Sequence, residues 1–115
     1  MTVSNSKLIA DLNDSFRGLL GAGYIPGKLL MTAGISALSP EDQVLILAKV
    51  RNFSDFNEDN DPYGEHDFGS FNYPQVGKIL WKIDYYDTSL KYGSDDPLDL
   101  EKTVRVLTIM LAEEY

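Results

Sequence analysis

Residues 67–87 read DFGSFNYPQVGKILWKIDYYD. The second half alternates. Ile79, Trp81, Ile83 and Tyr85 share one parity, while Lys78, Leu80, Lys82, Asp84 and Tyr86 share the other. A period of two marks a strand with one face against a core. Pro74 to Gly77 supply turn chemistry just before it. The stretch predicts a β-hairpin over about 66–87, with Trp81 in the core. The first arm is less regular. Phe68 and Phe71 have opposite parity, so a bulge at Gly69 is expected if both rings face inward.

Working outward, SPEDQVLILAKVRNF is the clearest helix start. Ser39 can cap, Pro40 takes the first helical position, and Glu41 and Asp42 suit the positive end of the helix dipole. Val44, Leu45, Leu47 and Ala48 are its expected buried side. Ser6 to Leu20 reads as a first helix with a stripe of Leu8, Ile9, Leu12, Phe16, Leu19 and Leu20. Lys28 to Thr32 reads as a short strand between glycine-bearing loops. After the hairpin, the loop KYGSDDPLD leads to an expected last helix carrying Leu100, Val104, Leu107, Met110 and Leu111. Its end, LAEEY, would set Glu113 and Glu114 at the negative end of the dipole. The order predicts one α+β domain over residues 1–115. It comprises a small antiparallel β-sheet, made of the hairpin and the strand at about 28–32, packed with three helices.

Composition narrows the function classes. The chain has no cysteine, which excludes a disulfide framework, a thiolate nucleophile and Cys-ligated metal. MTVSNSKLIADLND lacks the basic start and apolar core of a secretory leader. No apolar run reaches the roughly 20 residues of a membrane span. A soluble, cytoplasmic protein is expected, with no membrane partner. The net charge of −8 is uneven: Lys and Arg balance the acids through Phe53, whereas five bases face fourteen acids from Ser54 onward. Direct nucleic-acid binding is disfavoured and a basic protein surface favoured as partner. A homodimer through the sheet edge is a compatible arrangement.

The segments FNEDNDPYGEHDFGSF, WKIDYYD, YGSDDP and RVLTIMLAEEY, with MTAGISAL before the second helix, resemble a family of small bacterial proteins, domain of unknown function 3768. The resemblance runs from about Leu12 to Tyr115. It implies a shared fold, brings no established activity or site residue, and implies an association with mobile DNA and thus with host or defence proteins.

The polar centre of the chain is DNDPYGEHDFG, Asp59 to Gly69, which holds its only histidine. The stretch opens like a calcium loop, with acids at Asp59 and Asp61 and glycine at Gly64. It then fails, because Tyr63 and Ser70 stand where ligands are needed. Asp59, Asp61, His66, Asp84 and Asp87 are the candidate metal ligands; such a set would suit magnesium or manganese better than zinc. No cofactor is the leading expectation. The hairpin register brings the motif beside IDYYD. Unbulged, Asp67 meets Asp84; with a bulge at Gly69, His66 meets Asp84. His66 with Asp84 is therefore a candidate general base, with Lys82 or Arg105 to bind an anionic substrate. No nucleophile elbow or phosphate loop accompanies them. The alternative is that His66 is a hydrogen-bond hub holding the loop. As a recognition surface, the candidates are Asp59, Asp61, Tyr63, Glu65, His66, Asp67, Tyr86 and Asp87. The expected functions rank as an acidic binding or regulatory protein, then a structural module, then a small metal-assisted or acid/base enzyme.

Overall fold

The computed structural model describes residues 4–115, so the first three residues of the expected domain lie outside the described residues. The elements are α1 (Asn5–Gly18), β1 (Gly27–Met31), α2 (Ala33–Ser36), α3 (Pro40–Arg51), β2 (Phe68–Tyr73), β3 (Gly77–Tyr86), β4 (Val104–Leu111) and a short 3₁₀ turn (Ala112–Glu114). The sheet order is β1-β4-β3-β2. β3 runs antiparallel to both β2 and β4, and β1 lies parallel to β4. The fold is α+β with a mixed four-stranded sheet.

The expected last helix is a strand, and a central one. RVLTIML pairs with β3 on one side and β1 on the other. A strand covered on both edges and packed on a face reads as a continuous apolar run, and such a run also satisfies helical spacing. The sheet is therefore mixed rather than purely antiparallel.

Trp81, Ile79 and Ile83 from β3 meet Leu107 and Ile109 from β4. Phe16 of α1, Ile35 of α2, and Ile46 and Val50 of α3 cover them. Both longer helices start as sequence chemistry dictates. Ser4 caps α1 through Lys7 N, and Ser39 caps α3 through Asp42 N with Pro40 following. Their buried faces differ from expectation. In α1 the inward stripe is Ile9, Ala10, Asn13, Phe16 and Arg17, with Leu8 and Leu19 exposed. In α3 it is Ile46 and Val50, with Val44 and Leu45 exposed.

The hairpin has no bulge. Pairing runs unbroken from Phe68↔Lys82 to Tyr73↔Gly77. Gly69 faces Trp81, and a Cβ there would overlap the indole Nε1. The glycine makes room for the largest core ring. Phe68 consequently points away from the helices and meets the ring of Tyr115 edge-on. LAEEY also differs: Glu114 accepts hydrogen bonds from Thr32 Oγ1 (2.6 Å), Gly34 N (2.9 Å) and Leu111 N (2.9 Å). Its carboxylate sits at the start of α2, and the Thr32 hydroxyl, then the two amides, hold its pKa below the usual range.

Candidate functional site

α1 carries two consecutive polar side chains, the buried Asn13 and the half-exposed Asp14, and each roots a chain of hydrogen bonds. Asn13 is fully buried. Its Oδ1 accepts from Arg105 Nε at 2.7 Å. Its amide nitrogen donates to Tyr85 Oη at 2.8 Å and to the Glu65 carbonyl at 2.9 Å. Tyr85 in turn donates to the Glu65 carboxylate at 2.8 Å. Arg105 Nη2 donates to the Pro97 carbonyl at 2.8 Å, and its guanidinium lies 5.1 Å from the Tyr85 ring centroid. Burial pulls the Arg105 pKa down, with Tyr85 and Glu65 working against it; burial pushes the Tyr85 phenol far up. A wholly buried cation is thus met by an amide, a carbonyl and an aromatic face rather than by a direct carboxylate.

Asp14 roots the second chain. It accepts from Arg17 Nη2 at 3.0 Å and from His66 Nδ1 at 2.9 and 3.0 Å. An ionised carboxylate only accepts, so His66 carries its proton on Nδ1. Nε2 then faces Asp61 Oδ2 at 3.7 Å. The imidazole stacks flat on Phe56, with centroids 3.9 Å apart. Arg17 donates to the Val50 and Arg51 carbonyls at the end of α3 and lies over Trp81. Asp61 accepts the amides of Glu65 and His66. It folds the loop so that His66 adopts φ +56°, the left-handed region. Such a backbone persists only where its surroundings over-determine it.

The expected candidates therefore separate. Asp61, Glu65 and His66 join the buried network. The partners of His66 are Asp14 and Asp61, not Asp84. Lys82 and Asp84 pair with each other at 2.8 Å on the opposite face of the sheet. There, with Tyr86, they line a groove of about 560 Å³ over Val106 and Met110. Arg105 is buried and has no access to a substrate. Asp67 is half-buried; burial, then the charge of Glu65, pushes its carboxyl above the usual range. Asp59 and Tyr63 are exposed. Asp87 holds the following turn by accepting from Ser89 Oγ at 2.6 Å and from the Ser89 amide at 3.1 Å. The candidate metal ligands are thus spread over both faces of the sheet, and among the described residues no three acids or histidines form a cluster suited to an ion. Sequence reasoning missed Asn13, Asp14 and Arg17. Their signal was present: Ile9, Asn13 and Arg17 are spaced by four, so two polar residues sit within the buried stripe.

The topology also gathers charge. Loop 54–67 enters β2 at Phe68, and loop 87–103 leaves β3 at Tyr86 and enters β4 at Val104. β2 and β4 both run against β3, so the two loops emerge at one end of the sheet. The first carries six acids and no base, and the second carries five acids and two lysines. Their combined −9 exceeds the −8 of the whole chain. The Asn13 chain holds both: the Glu65 carbonyl of the first loop and the Pro97 carbonyl of the second hang from one buried network.

The fold and this polar centre define a helix-covered sheet with one acidic end. Residues 31–114 match the family described as Protein of unknown function (DUF3768), and the chain belongs to that family. The match begins within β1, so Asn13, Asp14 and Arg17 lie outside it. No curated protein and no solved structure matches the chain. Among the described residues, no helix is long and apolar enough to cross a membrane.

Proposed function

We propose that this protein is a small binding or regulatory protein whose acidic end engages a basic protein surface in the bacterial cytoplasm. The observation that carries the reading is the collection of −9 on two loops at one end of the sheet. Asp55, Glu58, Asp59, Asp95, Asp96 and Glu101 are its exposed acids. A concentrated field of one sign steers a complementary partner and repels nucleic acid. In the extreme form, the end stands in for a DNA backbone in the groove of a host or defence protein. The reading invokes no cofactor.

The test compares three immobilised proteins for retention of basic proteins across a salt series. They are the wild type, a variant carrying D55N, E58Q, D59N, D95N, D96N and E101Q, and a control neutralised at Asp11, Glu41 and Glu113. Retention by the wild type and the control should fall steeply with salt, and the loop variant should retain little. Equal retention by the loop variant contradicts the reading.

One observation favours a second reading, acid–base chemistry at His66. Asp14 fixes the proton on Nδ1, the arrangement used by general-base histidines, and Nε2 points to Asp61 Oδ2 at 3.7 Å, a carboxylate that a substrate would have to displace. Its metal-assisted form predicts a rise in melting temperature with magnesium or manganese that His66→Ala abolishes. A structural module with no site of its own predicts neither that shift nor salt-dependent capture.

A further inference from the structure

α3 is apolar on both sides. Its core side carries Ile46 and Val50. At 3.6 residues per turn, Glu41, Val44, Leu45, Ala48 and Asn52 fall on the opposite side, with Lys49 at its border. Val44 is 64 % exposed and Leu45 54 %. A surface helix ordinarily turns polar residues outward. Leu45 also lines two hollows. One, of about 640 Å³, lies between α3 and the Tyr73–Gln75 turn and reaches Ala48, Lys49 and Pro74. The other, of about 430 Å³, lies over Pro40, Glu41 and Val44.

We propose that this face is the contact between two copies of the chain, with their α3 helices antiparallel about a twofold axis at Leu45. The charge pattern selects a second copy as the occupant. Glu41 and Lys49 stand four residues to either side of Leu45, and both are exposed. Among the described residues, neither forms an ion pair within the chain. A twofold axis at Leu45 sets Glu41 of one copy against Lys49 of the other, twice, with the leucines meeting at the centre. A parallel arrangement would oppose like charges. The hollows beside Leu45 receive the Val44 and Leu45 side chains of the second copy. The acidic loops take no part, so the contact is independent of the binding role. A helix of this length offers a seam about 18 Å long, at the small end of stable interfaces, so the association is weak.

Sedimentation of the full chain from about 1 to 500 µM tests this, because mass action drives a weak dimer together over that range. The wild type should dimerise. Leu45→Glu, at a half-exposed position, should raise the dissociation constant at least about tenfold without lowering the melting temperature. Glu41→Lys and Lys49→Glu should each weaken association, and the E41K/K49E double variant should restore it. The charge swaps carry the test by themselves if Leu45→Glu unfolds. A wild type that stays monomeric throughout overturns the proposal. So does a dimer indifferent to these substitutions, or a double variant no better than the singles.

Discussion

The two acidic loops have similar composition and are held by different means. Loop 54–67 is stitched inward. Asp61 gathers its backbone, Glu65 reaches Tyr85, and His66 lies between Asp14 and the Phe56 ring. Loop 87–103 closes mainly on itself. Asp87 holds the Ser89 turn, Ser94 meets Thr103 at 2.6 Å, and Thr103 donates to the Asp96 carbonyl at 2.7 Å. Its side-chain link to the core runs through Pro97 to Arg105. Three acids of each loop stay exposed; of the others, Asp61 and Glu65 tie the first loop inward, whereas Asp87 and Asp99 of the second hold only local turns. A run of acids in sequence does not say which of them a partner meets.

The sharpest way to break this contrast is at the shared root. Asn13→Ala leaves Arg105 Nε without its acceptor in the interior and removes the donor to the Tyr85 hydroxyl and the Glu65 carbonyl, and should cost about 3 kcal/mol, read by denaturant unfolding. Asp61→Ala should separate the loops. It frees the amides of Glu65 and His66, costs about 2 kcal/mol, and should speed proteolysis within 54–67 while sparing 87–103. Thr103→Val should do the reverse, costing about 1 kcal/mol and loosening the second loop.

Asp67→Asn should have the smallest effect, of opposite sign. The folded carboxyl has its pKa raised, chiefly by burial, so the folded state binds more protons than the unfolded state as pH climbs above the usual carboxylate value of about 3.9. Stability is fully retained below that value and lost as pH rises through the raised one. The asparagine variant should therefore melt higher than wild type at pH 7, with the difference vanishing near pH 3. Thermal melts across that range check it.

Much of this arrangement was legible beforehand. The parity of β3 identified the core face, with Trp81 in it, and the charge asymmetry identified an acidic half. Two things were not. VRVLTIML satisfies helical spacing because a central strand need not alternate, although the branched residues Val104, Val106, Thr108 and Ile109 pointed to a strand. Without that strand, loop 87–103 has no fixed end, and the meeting of the two acidic loops stays hidden. The partners of His66 were equally out of reach, because Asp14 is 52 residues away in sequence and only tertiary packing joins them. The pairing of His66 with Asp84, expected from a bulge at Gly69 with Tyr73 opposite Lys78, would here come from extending past Phe68 an unbulged register that sets Tyr73 opposite Gly77. The left-handed turn at His66 ends that extension and swings the ring onto Phe56.

One buried network holds both acidic loops at the same end of the sheet. Amide hydrogen exchange on Arg105→Met, compared segment by segment with wild type, tests it most directly. Residues 54–67 and 87–103 should lose protection together while α3 and the β2–β3 turn keep theirs. Loss confined to 87–103, with the first loop unchanged, would contradict it.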